Sequence, residues 1–247
     1  MKLFRISIIT CSNYAERLIG LLSAGDLLDH DIRIFSQEPP FRDYVYDEAV
    51  IIKWNIGLTE IKASLWENYL LANNLDYSVV PDNSQNQIWM QPRSLSDGDL
   101  SVIYKHKKAL RSFLFSDDEF CVVLEDDAII QPGFLVSIES ICNHIMFDYM
   151  DFAGGDNLNC NPENIKCVSG FELELKSLKS TRTACGYICS RRAAWAILRE
   201  LESPYMPIDW SISVALTKVS ADCRVYWLNT CIALHGSSVG LYRSWRA

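Results

Sequence analysis

Phe120-Cys121-Val122-Val123-Leu124-Glu125-Asp126-Asp127-Ala128 is the stretch whose reading decides the fold. Five apolar, mostly β-favouring residues form a short run that reads as a buried strand. The run ends in three adjacent carboxylates. Such a cluster repels itself unless a cation or basic groups lie against it. Open α/β sheets take their ligands at the carboxyl ends of strands. The expectation is therefore an oxygen-rich site for Mg²⁺ or Mn²⁺ carrying a diphosphate, since hard cations favour oxygen ligands. For these three residues alone, a solvated acidic turn is the plain alternative.

The segments on either side supply the rest of a sheet. Leu3 to Thr10 clusters Ile6, Ile8 and Ile9 and reads as a first strand, expected to be central. Tyr14 to Ala24 carries Leu18, Leu21 and Leu22 at helical spacing, with Asn13 as its cap. Ile32 to Phe35 is a second strand. A strand, helix and strand in this order mark a parallel half sheet of the nucleotide-binding kind. No Gly-x-Gly-x-x-Gly turn follows the first strand, so the dinucleotide fingerprint is absent. Ser96-Asp97-Gly98-Asp99 resembles a capping box and starts a helix expected to reach about Phe115. Its buried stripe is Leu100, Ile103, Leu110 and Leu114, with His106 at the edge. Lys105 is expected to face solvent, with compensation of a diphosphate's charge as the alternative.

Beyond the carboxylates, Pro132 suits a first helical residue, and Phe134 to Met146 completes that helix. Tyr149 to Ala153 is a strand closed by Gly154-Gly155-Asp156-Asn157. Val168 to Leu178 alternates as one half-buried strand. Thr183 to Cys189 is the next strand, and Ser190 caps a helix bearing Ala194, Ile197, Leu198 and Leu201. Pro207-Ile208-Asp209-Trp210 opens a short helix. Val225 to Leu228 reads as the last strand, with His235-Gly236-Ser237-Ser238 beyond it. Between the halves, Pro39-Pro40 breaks the chain, Leu58 to Ala72 reads as helix and Tyr77 to Val80 as strand. Pro81 to Arg93 is polar and reads as a flap.

Composition bounds the partners. The 247 residues are 49% hydrophobic and 22% charged, which suits one α/β domain. The net charge of −8 and the lack of a basic run argue against nucleic acid. No apolar stretch approaches the roughly 18 residues of a transmembrane segment. Contact with a membrane surface stays open. The amino terminus runs directly into a strand-like segment, so no signal peptide is expected. Nine cysteines without a Cys-x-x-Cys pair fit buried free thiols in a reducing, cytoplasmic setting. Cys185 and Cys189 lie in an apolar run and read as core rather than as a metal pair.

From Leu95 onward the chain resembles glycosyltransferase family 25, the lipopolysaccharide-biosynthesis and collagen galactosyltransferase group. The family's Leu-Thr-Pro-Gly-Glu-Ile-Gly-Cys-x-x-Ser-His motif is matched by the twelve residues Leu95 to His106. Its apolar strand ending Leu-Glu-Asp-Asp is matched by Leu124 to Asp127. A Thr-x-x-Tyr-x-x-Ser-Arg-x-x-Ala pattern resembles Thr181 or Thr183 through Tyr187, Ser190, Arg191 and Ala194. A Pro-x-Asp motif resembles Pro207 to Asp209. Loosely, the family's amino-terminal motif resembles Ile9 to Arg17, with Thr10 in place of its asparagine. Ser101-Val102 and Lys105 also depart from the pattern, and residues 36–95 have no clear counterpart.

The resemblance implies a GT-A-type fold, a mixed central sheet flanked by helices, with residues 1–130 binding a nucleotide sugar and 131–247 the acceptor. It implies transfer of a sugar, galactose by family default, from UDP-galactose to a glycan or lipopolysaccharide-type acceptor with Mn²⁺ or Mg²⁺. In an extended backbone Glu125 and Asp127 would share one face. Asp127 is then the first metal ligand, with Glu125 beside it and His235 completing the shell. Asp126, Thr10, Arg17 and His106 fall on the donor side. The family inverts, so one base must deprotonate the acceptor hydroxyl. Asp209 is the candidate and Asp156 its rival, while Trp210 is placed to stack on a sugar. A helix cap is the plain alternative for Asp209, a core residue for His106, and a surface histidine for His235. Two other classes stay open: a metal-dependent phosphoesterase, disfavoured by only four scattered histidines, and a carbohydrate-binding protein without activity.

Overall fold

The apolar run at 120–124 is a strand because both of its faces are covered. A computed structural model describes residues 3–10, 15–24, 27, 30–38, 48–53, 93–155, 158–177 and 179–242. Ten strands and five helices position the site. They run β1 (Phe4–Ile9), α1 (Ala15–Ala24), β2 (Ile32–Phe35), α2 (Asp97–Leu114), β3 (Phe120–Glu125), β4 (Ala128–Ile130), α3 (Phe134–His144), β5 (Tyr149–Asp151), β6 (Ile165–Val168), β7 (Phe171–Leu175), β8 (Gly186–Ser190), α4 (Arg191–Glu200), α5 (Ile208–Thr217), β9 (Val225–Leu228) and β10 (Ala233–His235). Eight strands form one sheet in the order β2-β1-β3-β8-β5-β9-β7-β6, and β10 pairs with β4 in a separate ribbon. The sheet is mixed: β1 is parallel to β2 and β3, while β8 runs antiparallel to β3 and β5.

Strand alternation sorts the core into two layers. Val122 and Leu124 of β3 join Ile6 and Ile8 of β1, Leu21 of α1, and Phe134, Ile138 and Ile141 of α3 on one face. Cys121 and Val123 turn to the other face, with Ile103, Leu110 and Phe113 of α2, Ala193 and Ile197 of α4, and Ile212 of α5. Each fully buried Val, Leu or Ile contributes about 1.5–3 kcal/mol by leaving water. The result is an α/β protein with an eight-strand mixed sheet between two helical layers.

Several expectations need correction. β1 lies second in the sheet, and the middle belongs to β8 and β5. Pro132 sits in a turn before α3, whose cap is Gly133 in the left-handed region. The alternating run from Val168 is a strand only over Phe171–Leu175, and it is the second arm of a hairpin, because Ser169 and Gly170 adopt φ of 50° and 85° and fold β7 back on β6. A two-residue loop with both φ positive suits the twist of paired strands. Lys105 does not face solvent. It is fully buried, and its ammonium meets the Glu38 carboxylate at 2.6 Å, so the helix stem packs inward while Glu38 supplies the countercharge. β9 is not the last strand, since β10 follows. The helix capped by Ser96 is as expected, with Asp99 closing the capping box. Asn13, residues 58–72, 77–80 and most of the polar flap lie outside the described residues. Among the described residues, no helix is long and apolar enough to cross a membrane.

A buried ion pair fixes the approach to β8. Arg182 donates from Nε to Asp151 Oδ1 at 3.0 Å, and its Nη2 reaches the carbonyls of Asp151 and Leu228 at 2.9 and 3.1 Å. Thr181 and the Arg182 amide satisfy Asp151 Oδ2 at 2.9 and 2.8 Å. Burial works against the guanidinium's charge, and the Asp151 carboxylate overrides it, raising the Arg182 pKa. Removing one partner leaves a desolvated charge without compensation, a loss of about 3–5 kcal/mol. Asp151→Ala is accordingly expected to lower unfolding free energy by that amount in a urea titration, while Arg182 and Asp151 replaced together by apolar residues should lose less.

Candidate functional site

The end of β3 becomes a site because its three carboxylates do not share a direction. Glu125 is the last strand residue, and Asp126 and Asp127 form the turn into β4. The backbone does not stay extended, so the expected common face of Glu125 and Asp127 is replaced by three separate environments. Glu125 faces α2, where His106 Nε2 lies 3.2 Å from its Oε1. His106 is fully buried, and its Nδ1 is 3.0 Å from the Tyr187 hydroxyl of β8. Burial raises the Tyr187 pKa well above its usual value, so this phenol keeps its proton and can donate to Nδ1. With Tyr187 donating to Nδ1, Nε2–H donates to Glu125. His106 thus orients a carboxylate from within the core.

Asp126 turns to the amino-terminal strand. It is fully buried and accepts from the Thr10 hydroxyl at 2.8 Å, with Arg17 Nη1 at 3.8 Å. The β1–β3 register pairs Ile9 with Glu125, which sets Thr10 beside Asp126. Arg17 also lies over the Tyr242 ring, 5.0 Å from its centroid. Thr10, Arg17 and Asp126, all expected on the donor side, therefore form one buried group behind Asp127.

Asp127 meets the carboxyl-terminal residues. Antiparallel pairing of β10 with β4 sets His235 opposite Ala128, one residue past Asp127. His235 Nε2 is 3.2 Å from Asp127 Oδ2, and the Ser237 hydroxyl donates to the same oxygen. Ser238 Oγ is 2.7 Å from His235 Nδ1. From β8's approach, Cys185 Sγ lies 3.6 Å from Asp127 Oδ1. Burial opposes ionisation of Asp127, but His235, Ser237 and Arg17 together outweigh it and lower its pKa. Burial and the charges of Asp127 and Glu125 push the Cys185 thiol well upward.

A glycine makes this convergence possible. The Gly236 amide donates to the Asp127 carbonyl at 2.9 Å. A Cβ at Gly236 would lie 2.5 Å from that carbonyl oxygen and 2.4 Å from Tyr242 Cδ2. Only a residue without a side chain lets 235–238 pass so close to the turn.

These groups border an open cavity of about 230 Å³, lined by Glu125, Asp127, Cys185, Asp209, His235 and Ser237 among others. Two helix amino termini also reach it, α2 through Gly98 and α5 through Ile208 and Asp209. Asp209 is the second residue of α5, and Pro207 holds the cap position. Trp210, expected as a sugar platform, is buried against Tyr205, Met206 and Val214 instead. Asp156 lies outside the described residues.

The ligand atoms of Asp127, Cys185 and His235 all lie within 4.8 Å of one another, and these residues could hold a metal ion. Asp127 and His235 were legible as a pair. Cys185 was read as core because it sits in an apolar run, and Ser237 and Ser238 carried no signal beyond adjacency to His235. Compared with protein-family models and with curated proteins, the chain matches none.

Two outcomes follow from the Asp127 environment. Gly236→Ala is expected to separate 235–238 from the turn and lower the melting temperature by several degrees, read by differential scanning calorimetry. A depressed folded-state pKa gives stability that is present above the unfolded value near ~3.9 and lost as pH falls through the folded one. Acid unfolding below about pH 4 should be less steep for Asp127→Asn than for the natural chain, followed by circular dichroism.

Proposed function

We propose that the protein is a metal-dependent glycosyltransferase of GT-A type, moving a sugar from a nucleotide diphosphate donor to a hydroxyl acceptor by inversion. The observation that carries this reading is the meeting of Asp127, Glu125, His235 and Asp209 around one cavity at the carboxyl end of β3. The ordered resemblance of Leu95–His106, Leu124–Asp127, Thr181–Ala194 and Pro207–Asp209 to glycosyltransferase family 25 supports the same class. UDP-galactose is the donor that resemblance suggests, and a glycan the acceptor.

Glu125 and Asp127 are oxygen donors of the kind Mn²⁺ and Mg²⁺ take, and His235 presents a nitrogen beside them. Asp127 and His235 would hold the ion, with Glu125 on the same cavity wall. When bound, it supplies positive charge against the leaving diphosphate. The amino terminus of α2, at the cavity through Gly98, adds partial positive charge for the same anion. His106 and Ser238 hold Glu125 and His235 in orientation through their hydrogen bonds.

Asp209 acts as the base. The acceptor oxygen forms its bond to the anomeric carbon as the carbon–oxygen bond to the diphosphate breaks, and the acceptor proton passes to the Asp209 carboxylate. Its place on the second turn-forming position of α5 fixes it at the cavity wall. The Thr10–Asp126–Arg17 group supports the turn from behind.

Calorimetry with UDP and Mn²⁺ tests the reading. UDP should bind only with the metal, and Asp127→Ala should abolish that binding. Asp209→Asn should retain UDP binding and lower transfer by about 10²–10⁴-fold. Tight UDP binding without metal, or none in its presence, would overturn the assignment.

A further inference from the structure

We infer that Cys185 joins Asp127 and His235 in holding the ion at this site, and that this ligand set selects a borderline transition ion of the Zn²⁺ class over Mg²⁺. The inference rests on the ion site proposed above and on the placement of these three residues, not on which substrate the cavity takes. Thiolate and imidazole are ligands that Zn²⁺ prefers and that Mg²⁺ does not.

The three residues converge on one point. Cys185 Sγ is 3.6 Å from Asp127 Oδ1, and His235 Nε2 is 3.2 Å from Asp127 Oδ2, so thiol and imidazole approach the two oxygens of one carboxylate. Zinc takes such donors at about 2.3 Å for sulfur and about 2.0–2.1 Å for nitrogen or oxygen. The three ligand atoms fall within 4.8 Å of one another, and all three residues line the cavity, so an ion has a route in.

The surroundings are also those of a metal centre. Ser238 at 2.7 Å from Nδ1 fixes the His235 ring with Nε2 turned to Asp127. Ser237 holds the other side of the carboxylate. Metal-bound histidines and carboxylates regularly carry such outer partners, and these tune affinity 10–100-fold. Three protein ligands leave the fourth position to water from the cavity. Binding replaces the S–H bond of Cys185 by a Zn–S bond and releases that proton to solvent, so uptake weakens as pH falls.

Cobalt(II) titration of the metal-free full-length chain, without nucleotide, provides the test. A thiolate-to-cobalt charge-transfer band in the near ultraviolet and intense tetrahedral bands in the visible are expected at one equivalent. Zn²⁺ should displace the cobalt. Cys185→Ser should remove the charge-transfer band and weaken Zn²⁺ binding by more than about 100-fold, while a thermal melt reports that the variant folds. Should it not fold, His235→Gln is the second variant, with the tetrahedral visible bands lost. Weak octahedral bands alone, or a charge-transfer band unchanged in Cys185→Ser, would overturn the proposal. Because UDP is absent throughout, absence of the cobalt bands in the natural chain rejects this ligand set, whereas failure of the UDP calorimetry rejects the transferase.

Discussion

Two neighbouring carboxylates are buried where β3 ends, and the surrounding chain is arranged to hold their charge. Asp126 is fully buried and Asp127 is only 4% exposed. Taking an ion out of water costs several kcal/mol, so each needs its own compensation. The turn after Glu125 separates them. Asp126 is answered by Thr10 and Arg17 from the amino-terminal segment, and Asp127 by His235 and Ser237 from the carboxyl-terminal one. Parallel pairing of β1 with β3 and antiparallel pairing of β4 with β10 are the backbone terms of that solution. Residues more than a hundred positions apart thus meet at one turn because two ladders end there.

A second buried charge pair serves the opposite wall. Asp151 closes β5, and its contacts with Thr181 and Arg182 fix the chain as it enters β8. The next residues are Thr183, which donates to the Gly154 carbonyl at 3.1 Å, and then Cys185 beside Asp127. Gly155 has a φ of 134°, and a Cβ there would lie 2.8 Å from Thr183 Cγ2 and 3.0 Å from His235 Nδ1. The wall is packed tightly enough that its backbone, and not only its side chains, sets the positions of Cys185 and His235.

What could be read beforehand followed from local physics. The apolar run at 120–124, the Ser96 capping box and the Ser190 cap each carry their signal within a few residues, and each forms the expected element. The Asp127–His235 pair was legible through the GT-A-type fold that the resemblance implies and not through any local pattern. Lys105 was not legible as buried, because its countercharge Glu38 is 67 residues away. The hairpin at 165–175 was hidden because its first strand, Ile165-Lys166-Cys167-Val168, does not alternate, and serine is a weak signal for positive φ. Cys185 illustrates the general difficulty. An apolar setting predicts burial, and it is buried, yet its neighbour across the cavity comes from another strand end.

The charge of the cavity constrains any ligand it takes. Asp99 is neutralised by Arg93 at 2.8 Å, while Glu125, Asp127 and Asp209 face the opening. Unit charges 4 Å apart interact by about 4 kcal/mol at an effective dielectric of 20. A diphosphate entering beside these carboxylates would meet several such repulsions, and the amino terminus of α2, worth about half a charge, offsets only part of them. A divalent cation between carboxylate and diphosphate would reverse the sign of the largest of these terms. Arg17 and His235 are already engaged by Asp126 and Asp127, so they offset little of that repulsion.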